Sequence, residues 1–427
     1  DGSMKLAADS ILYDKGDTHV GMKNFQALQS ENAQKSNLNI SSTNLDLKKA
    51  GAVVTADKMS FDLEKNKETG ASSALLTGEN IKIIKDGNNI SADNAQVKLI
   101  QNADGSGLTE ITAQNPNINL KDGSNLNVKG NTTLSMTQGA NGQLKNINAK
   151  ADEVNFQDKV NTAKVVGGNL NVNYDDKGKI KDLSANANSV NFKNKDSQIN
   201  AQNASVVANY ENDKITSIAG NVGKLDYTSK QGSMNLTNGA VNGNFNPDGS
   251  ISNINGKFDN LKYNTQQGNL DVSKGDVTAK FNPDGTLASI KGGAEQLSYL
   301  SNKGDKIDAK GFGVEITNGK NGLEKATAVV GELNYLSKTG DNLNVIDGKA
   351  SISRDPKGFI SNINGSADKI TFNSKNGDNI VAKGTSININ GNENGLSDAS
   401  IKVGELNYLS KTGDNLNVID GKASISR

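Results

Sequence analysis

The chain has no cysteine, no tryptophan, a single histidine and only four prolines in 427 residues. Without cysteine there are no disulfides and no thiolate metal ligands. With His19 as the sole imidazole, neither a nucleophile–base pair of the usual kinds nor a histidine-rich metal site is available, so no catalytic residue, metal site or cofactor is expected. Aromatic residues make up 4% and apolar residues 34%, too little for one large globular core. Charge of one sign is also missing. Forty-seven basic residues balance forty-seven acidic ones, which leaves no electrostatic footprint for nucleic acid or an anionic membrane surface. No apolar run reaches the length of a membrane span and no leader pattern opens the chain. Asp1-Gly2-Ser3 ahead of Met4 reads as a vector remnant, so a mature or truncated form is expected. The missing cysteines suit an oxidising compartment, which points to the periplasm or cell surface of a bacterium.

What is present is asparagine, glycine, lysine and serine, a composition that unfolded chains share. Periodicity argues against disorder. An apolar–polar–apolar triplet recurs as Leu225-Asp226-Tyr227, Leu261-Lys262-Tyr263, Leu297-Ser298-Tyr299, Leu333-Asn334-Tyr335, Ile370-Thr371-Phe372 and Leu406-Asn407-Tyr408, at steps of 36, 36, 36, 37 and 36 residues. The same triplet steps backward through Val190-Asn191-Phe192, Val154-Asn155-Phe156, Ile118-Asn119-Leu120, Ile81-Lys82-Ile83 and Leu45-Asp46-Leu47. Self-similarity at such a period marks a solenoid, each unit burying its face against its neighbours. About ten to eleven repeats are expected over residues 45–427. Residues 1–44 keep the period poorly and read as an irregular capping repeat carrying the remnant.

Within a repeat, apolar residues alternate across Leu261, Tyr263, then Leu270, Val272, Val277, Ala279 and Phe281, which reads as a strand period of two with all of them on one face. Between strands lie Asn246-Pro247-Asp248-Gly249 and Asn282-Pro283-Asp284-Gly285, the chemistry of a type I turn closed by a glycine bulge, which joins antiparallel neighbours. A parallel β-helix is the second architecture. Mid-strand glycines at Gly239, Gly275, Gly311, Gly348, Gly384 and Gly421, with Gly220, Gly256, Gly292 and Gly365 on the opposite passes, mark bends. The expected fold class is therefore all-β: an elongated antiparallel β-solenoid, or open β-jellyroll, of about 36-residue repeats with two facing sheets of V-bent strands. Asp104-Gly105-Ser106-Gly107 and Asp122-Gly123-Ser124 read as turns in preference to calcium ligands.

The pattern Ala367-Asp368-Lys369-Ile370-Thr371-Phe372, repeated as Ala151-Asp152-Glu153-Val154-Asn155-Phe156, resembles the repeats of the periplasmic lipopolysaccharide-transport, or organic-solvent-tolerance, family. The resemblance implies an open β-jellyroll of bent strands and a function of shielding lipid acyl chains in a trough between membranes. It makes Leu225, Tyr227, Phe245, Leu261, Tyr263, Phe281, Leu297, Tyr299, Leu333, Tyr335, Ile370, Phe372, Leu406 and Tyr408 the candidate trough-lining residues. Its implied partners are lipid or lipopolysaccharide acyl chains and envelope proteins. The alternative is a surface fibre or adhesin stalk in which the same rows form a dry core. One further feature is that residues 330–354 recur unchanged as 403–427, from which an exposed sheet edge able to pair with another copy is expected.

Overall fold

The computed structural model describes residues 2–320 and 322–426. Asp1, the first residue of the segment expected to be a remnant, and Arg427, which closes the second copy of the duplicated segment, lie outside them. The described residues hold strands and no helix. In chain order the strands are β1 (Gly2–Lys15), β2 (Thr18–Glu31), β3 (Lys35–Lys49), β4 (Ala52–Asn66), β5 (Ser72–Lys85), β6 (Asn88–Gln101), β7 (Gly107–Gln114), β8 (Asn117–Asn119), β9 (Asn125–Gln138), β10 (Leu144–Gln157), β11 (Thr162–Tyr174), β12 (Ile180–Lys193) and β13 (Ser197–Glu211). They continue as β14 (Lys214–Ser229), β15 (Gly232–Phe245), β16 (Ile251–Thr265), β17 (Gly268–Phe281), β18 (Leu287–Ser301), β19 (Lys306–Gly319), β20 (Gly322–Leu336), β21 (Asn342–Arg354), β22 (Ile360–Asn373), β23 (Asn379–Asn392), β24 (Gly395–Leu409) and β25 (Asn415–Ser426). The chain forms two compact units, residues 1–215 and 216–427. Residues 2–44 supply β1, β2 and most of β3, strands as long as those that follow.

Within each unit consecutive passes pair antiparallel, and a strand's substantial contacts are with the passes beside it. The solenoid expectation holds, and the parallel β-helix is excluded. β7 and β8 together make one pass, both pairing with β6 on one side and β9 on the other. Turn chemistry explains the reversals. Gly249 N–H donates to the Asn246 carbonyl at 2.8 Å and Asn246 N–H to the Ser250 carbonyl at 2.8 Å. Gly249 takes φ 92°, a conformation that glycine adopts without steric cost. The Asp248 carboxylate accepts from Ser250 N at 2.8 Å and Oγ at 2.7 Å. Beyond the turn the register shifts between Asn244 and Phe245, as a glycine bulge requires.

In four of the six passes the bend falls one residue before the glycine that the spacing places there. A step of five separates Val272 from Val277, and in a straight strand an odd step puts the two on opposite faces. Lys274, at φ 47°, lies between them. In β21 the equivalent pair Val345 and Ala350 lines one and the same cavity, with Asp347 at φ 49° between. A single left-handed residue thus reverses the parity of the strand and folds it into a V whose halves face each other. Asn238, Lys274, Asp347 and Asp420 hold this position in four passes, while Gly311 and Gly384 hold it themselves in two. Gly239, Gly275, Gly348 and Gly421 follow the bend and are needed for space. A Cβ on Gly275 would stand 2.2 Å from the Phe258 ring. Gly220, Gly256, Gly292 and Gly365 are not bends either. Gly256 lies opposite Val241 and Val277, and Gly292 opposite Val277 and Val314, so at these glycines the side chain is omitted where β-branched neighbours lean over.

Acidic side chains from an adjacent pass line up beside the bends. Asn80 Nδ2 donates to Asp57 at 2.7 Å, Asn115 to Asp93 at 2.7 Å and Asn238 to Asp259 at 2.6 Å. Lys274 pairs with Glu295 at 2.6 Å. These bonds occupy backbone-distorted positions where asparagine and aspartate are the tolerated residues after glycine.

Candidate functional site

Pair by pair, the strand register converts the triplets into two unbroken rows on the inner face of one arm. In the unit of residues 216–427 the first row runs Leu225, Leu236, Leu261, Val272, Leu297, Ala309, Leu333, Val345, Ile370, Ala382, Leu406, Val418, each opposite the next. Two residues along, the second row runs Tyr227, Met234, Tyr263, Leu270, Tyr299, Ile307, Tyr335, Leu343, Phe372, Ile380, Tyr408, Leu416. Aromatic and aliphatic side chains alternate across the strands, the pairing that contributes most to sheet stability. Twelve of the fourteen candidate residues fall in these rows. Phe245 and Phe281 do not. They sit at the far ends of β15 and β17, opposite Ile251 and Leu287 and next to register shifts.

The facing arm is the other half of the expected V, and Val277 of the expected alternation lies in its inner row. Its inner row is Gly220, Val241, Gly256, Val277, Gly292, Val314, Ala328, Ala350, Gly365, Ile387, Ile401, Ala423. These residues lie an odd step from the landmarks, and that step was the available signal. Both arms meet in a cavity of about 530 Å³, where Leu333, Val345 and Ile370 face Ala328, Ala350 and Ile387. Of the candidate residues only Leu333 and Ile370 line it. The unit of residues 1–215 has a counterpart of about 460 Å³, with Val154, Val165 and Val190 facing Ala149, Leu170 and Val206.

Among the described residues no large side chain is fully buried, and the most buried apolar residues are small: Ala56, Ala309 and Ala367. Tyr263 remains 42% exposed. Tyr299 differs, since its hydroxyl donates to the Gln267 carbonyl at 3.2 Å and anchors the ring on the neighbouring turn.

Charge is kept on the outer face, where Lys310 and Glu332, Lys383 and Glu405, and Lys164 and Glu153 pair at 2.8 Å. The bond from Lys164, followed by that from Asn155, holds the Glu153 carboxyl down to about 2. Asp104 accepts from Ser106 N at 2.9 Å and Oγ at 2.6 Å, and Asp122 from Ser124 N at 2.8 Å. Both carboxyls are held below the usual carboxylate range by these serine bonds. His19 Nδ1 lies 2.6 Å from Asp14 Oδ1.

No protein-family profile matches the chain, and no curated protein matches it. Among solved structures, a TcdB2–TccC3 complex without its hypervariable C-terminal region aligns at 5% identity and TM-score 0.08, over 93% of this chain and 36% of that one. The Photorhabdus luminescens Tc holotoxin pore aligns at 5% identity and TM-score 0.09, over 94% and 34%. This chain spans about a third of the length of those structures, and likeness at that level carries no argument about fold or function.

Proposed function

We propose that the chain is a lipid-binding carrier or conduit that shields acyl chains in its trough, working in the bacterial envelope at the periplasm or cell surface. The observation that carries this reading is the apolar-lined cleft between the two arms of the bent strands. Apolar surface left open in a concave site is where an apolar ligand gains most by leaving water. Neutral overall charge and the pairing of lysines with carboxylates on the outer face agree with a site that selects for hydrocarbon over charge. The repeat pattern that resembles the lipopolysaccharide-transport family agrees with the same reading. A fibre with a dry core fits less well, because a dry core needs large side chains buried against one another.

The test is extraction of detergent-free protein with organic solvent, mass spectrometry of the extract, and uptake of a fluorescent fatty acid by the extracted protein. Co-purifying lipid and saturable uptake are expected. Ile370→Asp, which places a carboxylate on the cleft wall, should reduce uptake at least tenfold while the far-ultraviolet spectrum stays that of a β-protein. Protein that carries no lipid and takes none up sinks the proposal.

A further inference from the structure

The trough is not uniform along its length: in each unit one widening is lined by both arms, and a smaller cavity of about 380 Å³ at the end of the facing arm is lined by Ile363 and Ile389. In the unit of residues 216–427 the facing-arm row alternates small and β-branched residues until Ala328, Ala350 and Gly365 follow one another on β20, β21 and β22. That succession is where the 530 Å³ cavity lies. Phe312 forms one end of it. In the unit of residues 1–215 the widening has another origin at the equivalent place: Ala151 opposite Gly168, and Ala187 opposite Ala204, strip the bend of bulk.

The polar residues around the niches are Ser366, Thr385, Ser386 and Lys349 in one and Thr132, Lys150, Asn169, Asn186 and Ser205 in the other. Ser366, Ser386, Asn169, Asn186 and Ser205 each lie one residue from an inward-facing neighbour, so the strand alternation turns them away. Thr385 Oγ1 donates to the Ala367 carbonyl at 3.0 Å and Thr132 Oγ1 to the Lys150 carbonyl at 2.9 Å. Lys349 lies between Gly348 and Ala350, and Lys150 between Ala149 and Ala151, so the strand alternation sends both ammonium groups to the opposite face. Ligand sites normally fix orientation and specificity with a few placed polar groups. A niche without any accepts only the hydrocarbon part of an amphiphile.

Resting on the lipid-binding reading, we infer that each unit holds one discrete niche for a single hydrocarbon tail. Two amphiphiles bind per chain, selected by tail length and not by headgroup. Volumes of 460 and 530 Å³ fall in the size class of a pocket for one small ligand. Burial of tail alone makes affinity fall roughly fourfold for each methylene removed.

Native mass spectrometry and calorimetry with dodecanoic acid, dodecylphosphocholine and dodecyl maltoside, each below its micellar concentration, test this on the full chain. Two equivalents of each probe are expected, with dissociation constants within about tenfold of one another. Ala350→Phe and Ala185→Phe fill one niche each. Phe61 already occupies the corresponding row between Ile40 and Leu76, so a phenyl ring fits the sheet there. Ala350→Leu and Ala185→Leu repeat the test with a residue native to that row at Leu170. Each single variant should leave one equivalent, and the double variant none. Tails that bind at many equivalents, or at two that the variants leave untouched, overturn the discrete niches and leave the trough reading standing. A charge preference above a hundredfold overturns headgroup indifference. Absence of all binding overturns both.

Discussion

Residues 330–354 and 403–427 are the same sequence in two settings. In the first, β21 lies between β20 and β22, and Leu343 is opposite both Tyr335 and Phe372. In the second, β25 pairs with β24, and Leu416 is opposite Tyr408. Hairpin register is identical, Leu333 to Val345 in one and Leu406 to Val418 in the other. Burial is not. Leu343, Ile346 and Ile352 are half-buried, whereas Leu416, Ile419 and Ile425 stand 52%, 73% and 63% exposed. Sequence therefore sets the bend, the register and the turn within a pass, while burial is supplied by whichever pass comes next. That division of labour is what nearest-neighbour stability in a solenoid means.

The comparison is broken most readily by truncating the side chain whose surroundings differ most. Leu343→Ala removes a side chain wedged between Tyr335 and Phe372, and should cost about 2 kcal/mol of local stability. Leu416→Ala removes the same side chain from beside Tyr408 alone and should cost about 0.5 kcal/mol. Hydrogen-exchange mass spectrometry reads both copies in one molecule, since opening free energies are local. Equal losses in the two copies would mean that burial by the following pass contributes little.

The bend itself should be blind to the setting. Asp347 and Asp420 take φ 49° and 51°, and a β-branched residue there meets the left-handed penalty of about 1–2 kcal/mol. Asp347→Val and Asp420→Val are expected to lower the protection of their own hairpins by that same amount. A much smaller loss in β25 would show that its bend is imposed by neighbours and not by its own sequence. How much of this was legible before the structure follows the same line. The turns at Asn246 and Asn282, the 36-residue period and the landmark rows are local or strictly periodic, and were readable. The bend was misplaced by one residue because the glycines at 239, 275, 348 and 421 answer to space around Leu236, Phe258, Val345 and Val418, a tertiary fact. Phe245 and Phe281 share the period but lie outside the two landmark rows, an even step from Val241 and Val277 of the facing row and beside bulges in the partner strands. Of the facing arm, Val277, Ala279 and the glycines at 220, 256, 292 and 365 were legible, whereas Ala350 and Ile387 were not, because they are out of step with the landmarks. In β21 and β23 a left-handed residue, Asp347 or Gly384, brings them round.

The smallest expected effect concerns the carboxylates that the two copies share. Glu332 is held below its ordinary value of 4.5 first by the bond from Lys310 and then by that from Asn334, and Glu405 likewise by Lys383 and Asn407. A carboxyl depressed in the folded state adds stability above its unfolded value, and that stability is lost as pH falls below about 4.5 toward the folded value. Both glutamates are partly open to solvent, with side chains 33% and 38% exposed, so each loss is modest. In each case the lysine comes from the preceding pass, β19 for Lys310 and β23 for Lys383, so a pass on the other side adds nothing to the pair. Exchange protection of β20 and β24 should therefore weaken by the same amount between pH 5 and pH 3. Glu332→Gln and Glu405→Gln should each flatten that slope in its own strand and leave the other unchanged. An acid limb confined to β20 would show that the pair depends on the pass that follows, and that even the outer face borrows its stability from both neighbours.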